Sequence, residues 1–215
     1  MFPVFLDVTG KRVVVVGGGP VGQRKAAAAR AAGAAVTIID PEPPGADAPG
    51  SPEIVHIAEP YRPEHLAGAC LVFAAATPEV NARVVAGAKA AGVWVNSATD
   101  PQSGDCLLPA VVRRGRLTVA VGTGGASPAL ARRIRERLEA EFDAAFTEWV
   151  ALLEELRPVA LATVADAARR RELLDGLADW SWLERLRAEG PAAVRAAMLG
   201  TLRVSPGTSA GEPGA

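Results

Sequence analysis

The chain predicts an α/β fold: a doubly wound parallel sheet, then a short antiparallel segment, then a helical carboxyl-terminal part. Three observations carry this. Residues 13–16 are four consecutive valines that run straight into Gly17-Gly18-Gly19, the pattern of a parallel strand covered on both faces and ended by a tight turn. Apolar runs then alternate with helical stretches as far as residue 96, which is the rhythm of βαβ units. Beyond residue 144 nearly every segment reads as helix.

Gly17, Gly19 and Gly22 form G-x-G-x-x-G between the first strand and the first helix. In that setting the first glycine permits the turn, the second admits a pyrophosphate and the third lets the helix pack on the strand. Pro20 and Val21 occupy the helix start, where free N–H groups and the positive end of the dipole favour a phosphate. Residues 25–32 continue an alanine-rich helix, Gly33 stops it, and residues 35–39 (AVTII) make the second strand. That strand ends in Asp40, close to the offset of about 20 residues at which an acid meets the adenine ribose. A carboxylate accepts hydrogen bonds from a free 2′-hydroxyl and repels a 2′-phosphate, so Asp40, followed by Pro41, favours NAD over NADP. The competing reading of Asp40 is the opening of an Asp-Pro-Glu-Pro-Pro turn.

Residues 41–52 form a Pro/Gly-rich loop, residues 53–57 a short strand and residues 71–75 (LVFAA) a buried strand ending at Ala76-Thr77-Pro78. A helix over 78–91 places Asn81 and Arg83 on polar positions and stops at Gly92. The strand at 93–95 leads into Asn96. The loops at 17–22, 76–78 and 96–105 therefore line one crevice at the carboxyl ends of a Rossmann-like sheet.

After residue 107 the pattern changes. Residues 109–113 and 117–121 make an antiparallel pair around Arg114-Gly115, and such a small sheet with open edges is expected to pair with a partner subunit. A second glycine turn, 122–125, precedes Ser127-Pro128, an N-cap followed by proline at the first helical position. Leu130, Ile134, Leu138 and Phe142 mark a buried stripe on that helix. Arg132, Arg133, Arg135 and Arg137 form either a solvated face laced with glutamates or a cationic wall for a polyanionic substrate. The later helices are expected to break near Pro158, Gly176 and Gly190-Pro191, with Trp149, Trp180 and Trp182 as packing anchors. The expected organisation is a nucleotide-binding domain at 1–108, a dimerisation segment at 109–145, a helical domain at 146–204 and a disordered tail at 205–215.

A net charge of −1 gives no reason to expect nucleic acid or an anionic membrane. Two distant cysteines, Cys70 and Cys106, fit buried thiols in a reducing cytosol. Two histidines, His56 and His65, supply neither a metal cage nor a catalytic triad, and no metal site is expected. No signal peptide or spanning helix is read, so a soluble cytoplasmic protein is expected.

Four segments together resemble the precorrin-2 dehydrogenase/sirohydrochlorin ferrochelatase family, which also forms the amino-terminal part of siroheme synthase. They are PVFL at 3–6, VVGGGPVGQRK at 15–25, AAATPEVN at 74–81 and VAVGTGGASPALARRIRERLE at 119–139. The last is the most specific, because ordinary Rossmann dehydrogenases lack a Gly-Gly-x-Ser-Pro helix entry. The resemblance implies a homodimer that uses NAD to oxidise precorrin-2, a tetrapyrrole with eight carboxylates, to sirohydrochlorin. Many members also insert ferrous iron or cobalt. It further implies Thr77 beside the cofactor, and Asn96, Thr123, Ser127 and Arg132 toward the substrate. No methyltransferase segment is read, so precorrin-2 is expected from a separate enzyme.

One slot departs from the family. Its catalytic aspartate stands three residues after the asparagine that ends the last parallel strand, and here that position is Thr99, followed by Asp100 and Pro101. A threonine hydroxyl is no base at neutral pH without an activating partner. Two readings follow. In one the chain is a dehydrogenase with Asp100 or Asp105 as base, or with no strict need of one. In the other it is a diverged member that binds NAD and a tetrapyrrole, or acts on another substrate. Gly122-Thr123 also replaces a family serine pair, with Thr123 keeping a hydroxyl.

Overall fold

A computed structural model of the chain describes residues 1–42 and 54–203. These residues divide into two compact units, 1–108 with 124–126, and 109–123 with the chain from 127 onward.

The first unit is a five-stranded parallel sheet in the order β3-β2-β1-β4-β5. Its strands are β1 (Arg12–Val16), β2 (Ala35–Ile39), β3 (Val55–Ile57), β4 (Ala69–Ala74) and β5 (Trp94–Ser97). The valine run explains the central position of β1. Val13 and Val15 pack with Ala26 and Ala29 of helix α1 (Pro20–Ala31). Val14 and Val16 pack with Val84, Val85 and Ala88 of helix α2 (Pro78–Ala91) on the other face. All four valines are buried, each contributing about 1.5–3 kcal/mol over an exposed one. α2 has its predicted bounds for local reasons: Thr77 Oγ1 accepts from Val80 N at 3.4 Å, and Gly92 ends the helix in the left-handed region at φ 67°. The expected loop at 41–52 and tail at 205–215 lie mostly and wholly outside the described residues, as does Glu53 at the start of the expected third strand.

The second unit begins with an antiparallel hairpin, β6 (Ala110–Arg114) and β7 (Leu117–Val121), closed by Gly115 at φ 56°. Five helices follow: α3 (Pro128–Glu141), α4 (Ala144–Thr163), α5 (Ala167–Leu177), α6 (Ser181–Glu189) and α7 (Pro191–Arg203). Phe146, Trp149, Leu156, Leu183 and Met198 are at the heart of one core shared by the last four. Trp149 donates its indole N–H to Leu177 O at 3.3 Å, and Phe146 stacks edge-on against Trp180 at 5.4 Å. Leu156 is fully buried. Leu156→Ala is therefore expected to cost about 2–5 kcal/mol, read as a lower urea midpoint at unchanged slope.

Two expectations fail here. Pro158 lies inside α4 instead of ending it. Leu156 and Ala160, both fully buried, hold the same helix face to the core on either side of it, and this packing outweighs the backbone bond a proline removes. The break falls at Val164–Asp166, where Asp166 caps α5 through Arg169 N at 2.7 Å. On α3, Leu130 and Ile134 are 51% and 36% exposed, and Ala131 is the helix's buried residue. The two-stranded hairpin that α3 packs on covers only part of the expected stripe. Among the described residues no helix is long and apolar enough to cross a membrane.

Candidate functional site

The glycine turn is built by exclusion. Gly17 sits at φ 107°, donates its N–H to Ile39 O at 2.9 Å, and would place a β-carbon 2.4 Å from Ala75 O. A β-carbon on Gly22 would stand 1.9 Å from Gly17 O, so the helix start and the turn touch backbone to backbone. Gly19 differs, with nothing within 4 Å of that point. It faces open space as the N-cap of α1, with Pro20 next, no capping side chain and no acid in the first turn. Val21 and Gly22 thus begin a helix whose end carries unopposed partial positive charge. An anionic phosphate fits this cradle.

Asp40 closes the turn from the side. One carboxylate oxygen accepts from Gly18 N, and the other accepts from Glu42 N at 2.8 Å. A β-carbon on Gly18 would meet the Asp40 side chain at 3.2 Å, which explains the glycine there. Each oxygen keeps a lone pair for a hydroxyl donor. Pro41 follows, exposed.

The other end of the crevice is organised by a residue that the sequence placed only on a polar position of α2. Asn81 is 1% exposed. Its Oδ1 accepts from Ala76 N at 2.9 Å, and its Nδ2 donates to Ala76 O at 3.1 Å and to Thr99 Oγ1 at 3.0 Å. Both its amide donors and its carbonyl oxygen go into joining the turn after β4 to the loop after β5. The available signal was its place four residues beyond the capping Thr77, one helical turn in, where an amide reaches back to the turn.

Asp100 is fixed by its backbone. Its N–H donates to Ser97 Oγ at 3.2 Å, and its carbonyl accepts from Ser103 Oγ at 2.8 Å. The carboxylate is exposed and accepts from Gln102 N at 3.2 Å. Thr99, Asp100, Ser97 and Ser103 face Pro78, Ala82 and Val85 across a cavity of about 390 Å³. Asp105 is engaged elsewhere: its carboxylate accepts from Val95 N at 3.1 Å and its own N–H donates to Val95 O at 2.8 Å. Asn96 is likewise turned inward. Its Oδ1 accepts from Lys25 Nζ at 2.7 Å, and its Nδ2 donates to Cys106 O at 2.8 Å. Burial lowers the pKa of the Lys25 ammonium, and burial raises that of the Cys106 thiol.

In the second unit, Thr123 Oγ1 accepts from Ser127 N at 3.1 Å and Ser127 Oγ caps α3 through Leu130 N at 3.1 Å. Arg132 is exposed and 3.8 Å from Glu136, while Arg135 holds Glu139 at 2.6 Å. Both arginines are thus paired with glutamates of their own helix. Among the described residues no cluster of three or more His, Cys, Asp or Glu side chains is placed to hold a metal.

A family described as putative NAD(P)-binding matches residues 4–110, and the central family of sirohaem biosynthesis proteins matches residues 114–141. Siroheme synthase 1 of Aeromonas salmonicida is 34% identical over 203 residues, covering 93% of this chain and 43% of that protein. The siroheme synthase of Chromobacterium violaceum is 34% identical over 200 residues, covering 92% and 43%. The chain thus spans less than half the length of these curated relatives. Among solved structures, SirC, precorrin-2 dehydrogenase, superposes with a TM-score of 0.72 at 26% identity, covering 94% of this chain and 98% of that one. With a Rossmann-like sheet, a hairpin and a helical part matched along nearly the whole of both chains, this chain belongs to the sirohaem-biosynthesis family that includes siroheme synthase and precorrin-2 dehydrogenase.

Proposed function

We propose that the chain oxidises precorrin-2 to sirohydrochlorin in the cytoplasm, with NAD as hydride acceptor, as a step toward siroheme. The observation that carries this is the Asn81 bridge, which draws the turn after β4 and the Thr99–Asp100 loop to one end of the crevice while the glycine cradle stands at the other. Bound NAD supplies the acceptor for two electrons and one hydrogen. The chain's own residues hold its phosphates at Gly19–Gly22, take its ribose at Asp40, and seat its far end against Ala76 and Thr77. Asp100 then accepts the proton that leaves with the hydride. Oxidation extends the conjugation of the macrocycle, so positioning is the main demand. Thr99 keeps its hydroxyl in the family's aspartate slot, where Asn81 fixes it. Restoring the acid by Thr99→Asp should raise turnover, because the new carboxylate accepts the same Asn81 N–H and adds a second base. Turnover unchanged from the parent's would show that the slot does not limit the reaction.

The Asp40 carboxylate beside Gly18 supports NAD over NADP. Precorrin-2 oxidation is expected to run faster with NAD, and Asp40→Ala to narrow that preference roughly tenfold. Equal rates with both cofactors in the parent protein would remove Asp40 from cofactor choice. The exposed Leu130 and Ile134 beside a hairpin with two open edges support a homodimer, checked by the mass of the protein in solution.

A further inference from the structure

A second cavity, of about 260 Å³, lies along the flank of α1 and is lined by Val21, Arg24, Lys25, Ala28 and Leu108. The four helix residues follow i, i+3, i+4, i+7 spacing and so form one stripe. Val21 and Leu108 are 38% and 52% exposed and give it an apolar wall. The two cations distinguish it. Neither Arg24 nor Lys25 pairs with a carboxylate among the described residues. Arginines of the helical unit do, with Arg185 and Arg195 each within 2.8 Å of a glutamate oxygen. Lys25 is half-buried, with Nζ on the neutral amide of Asn96 at 2.7 Å and over the Phe73 ring at 5.1 Å. A half-buried ammonium held by a neutral amide and a ring has no carboxylate partner among the described residues, and its burial cost is offset when an anion arrives. Burial and the neighbouring Arg24 both weaken its hold on a proton. The next residue after Asn96, Ser97, lines the Asp100 cavity, so the two cavities flank the same strand end.

We infer that this cavity is a carboxylate subsite that holds an acidic side chain of the tetrapyrrole. Arg24 offers the planar, bidentate fork, Lys25 a fixed point charge, and Val21, Ala28 and Leu108 the surface for the apolar edge of the ring. The inference rests on the dehydrogenase reading for the identity of the macrocycle, and on the cavity alone for its preference for carboxylates.

The test is equilibrium binding of uroporphyrin, an eight-carboxylate porphyrin, to the full chain, with NAD binding measured in parallel. Arg24→Glu should weaken porphyrin binding about tenfold and leave NAD affinity unchanged. Arg24→Lys should recover part of the loss. Arg171→Glu, the same charge change on exposed α5, should bind as the parent does. Equal porphyrin affinity in Arg24→Glu and Arg171→Glu overturns the subsite. Citrate distinguishes the source of the carboxylate: failure to displace porphyrin at equal concentration supports the macrocycle, whereas displacement there overturns the tetrapyrrole assignment. Precorrin-2 turnover by the parent protein is scored separately. If turnover is absent while porphyrin binding still depends on Arg24, the dehydrogenase reading fails and the subsite stands.

Discussion

Gly22→Ala is expected to destabilise the first unit by about 3 kcal/mol or more and to abolish dinucleotide binding. The added β-carbon would stand 1.9 Å from Gly17 O, a backbone atom that cannot rotate away. Gly17 is itself held at φ 107° by its bond to Ile39 O and by Ala75 on its other side. Relief therefore requires α1 to lift off β1, which uncovers Val13, Val15 and Ala26 together. Gly19→Ala is the matched contrast. Its β-carbon meets nothing within 4 Å and its φ of −68° suits alanine, so the fold should lose less than about 1 kcal/mol. The space it fills is the one the proposed phosphate cradle needs open, so NAD affinity is expected to fall about tenfold or more. Thermal melts and NAD titrations of the two variants check the pair. If both lose only stability, or if Gly19→Ala binds NAD normally, the open face of the turn is not the phosphate cradle.

Asp100→Asn is expected to lower turnover about a hundredfold with NAD affinity and melting temperature unchanged. The amide keeps the acceptor oxygen for Gln102 N, and the bonds that position residue 100 run from its backbone to Ser97 and Ser103. The loop should therefore stay in place while the proton acceptor is lost. Asp105 cannot substitute without giving up its bonds to Val95. The measurement is kcat at saturating NAD beside the Kd for NAD. Unchanged kcat sinks Asp100 as the base.

The parallel sheet was legible because its physics is local and repetitive. A strand buried on both faces must be apolar at every position, and the turn beyond it must omit side chains where backbone meets backbone, so Val13–Val16 and Gly17, Gly22 read directly. α2 was legible to the residue because both ends are chemically marked, by Thr77-Pro78 and Gly92. Residues that act by pairing at a distance were not legible. Asn81 looks like a surface asparagine until the loop carrying Thr99 folds over it. Lys25 and Asn96 meet across 71 positions of sequence, and nothing near either announces the other. Periodicity on α3 reported an apolar stripe but not what covers it, so Leu130 and Ile134 read as buried and are exposed. Pro158 was misread for the opposite reason: a local rule yielded to the packing of its neighbours Leu156 and Ala160.

The most direct measurement is anaerobic: the protein, NAD and precorrin-2 together, following NADH formation and sirohydrochlorin absorbance in one cuvette. One NADH for each sirohydrochlorin, at a rate that falls with Asp100→Asn, is the result this account predicts. NAD binding without either product would contradict it and turn the search to a different substrate for the same crevice.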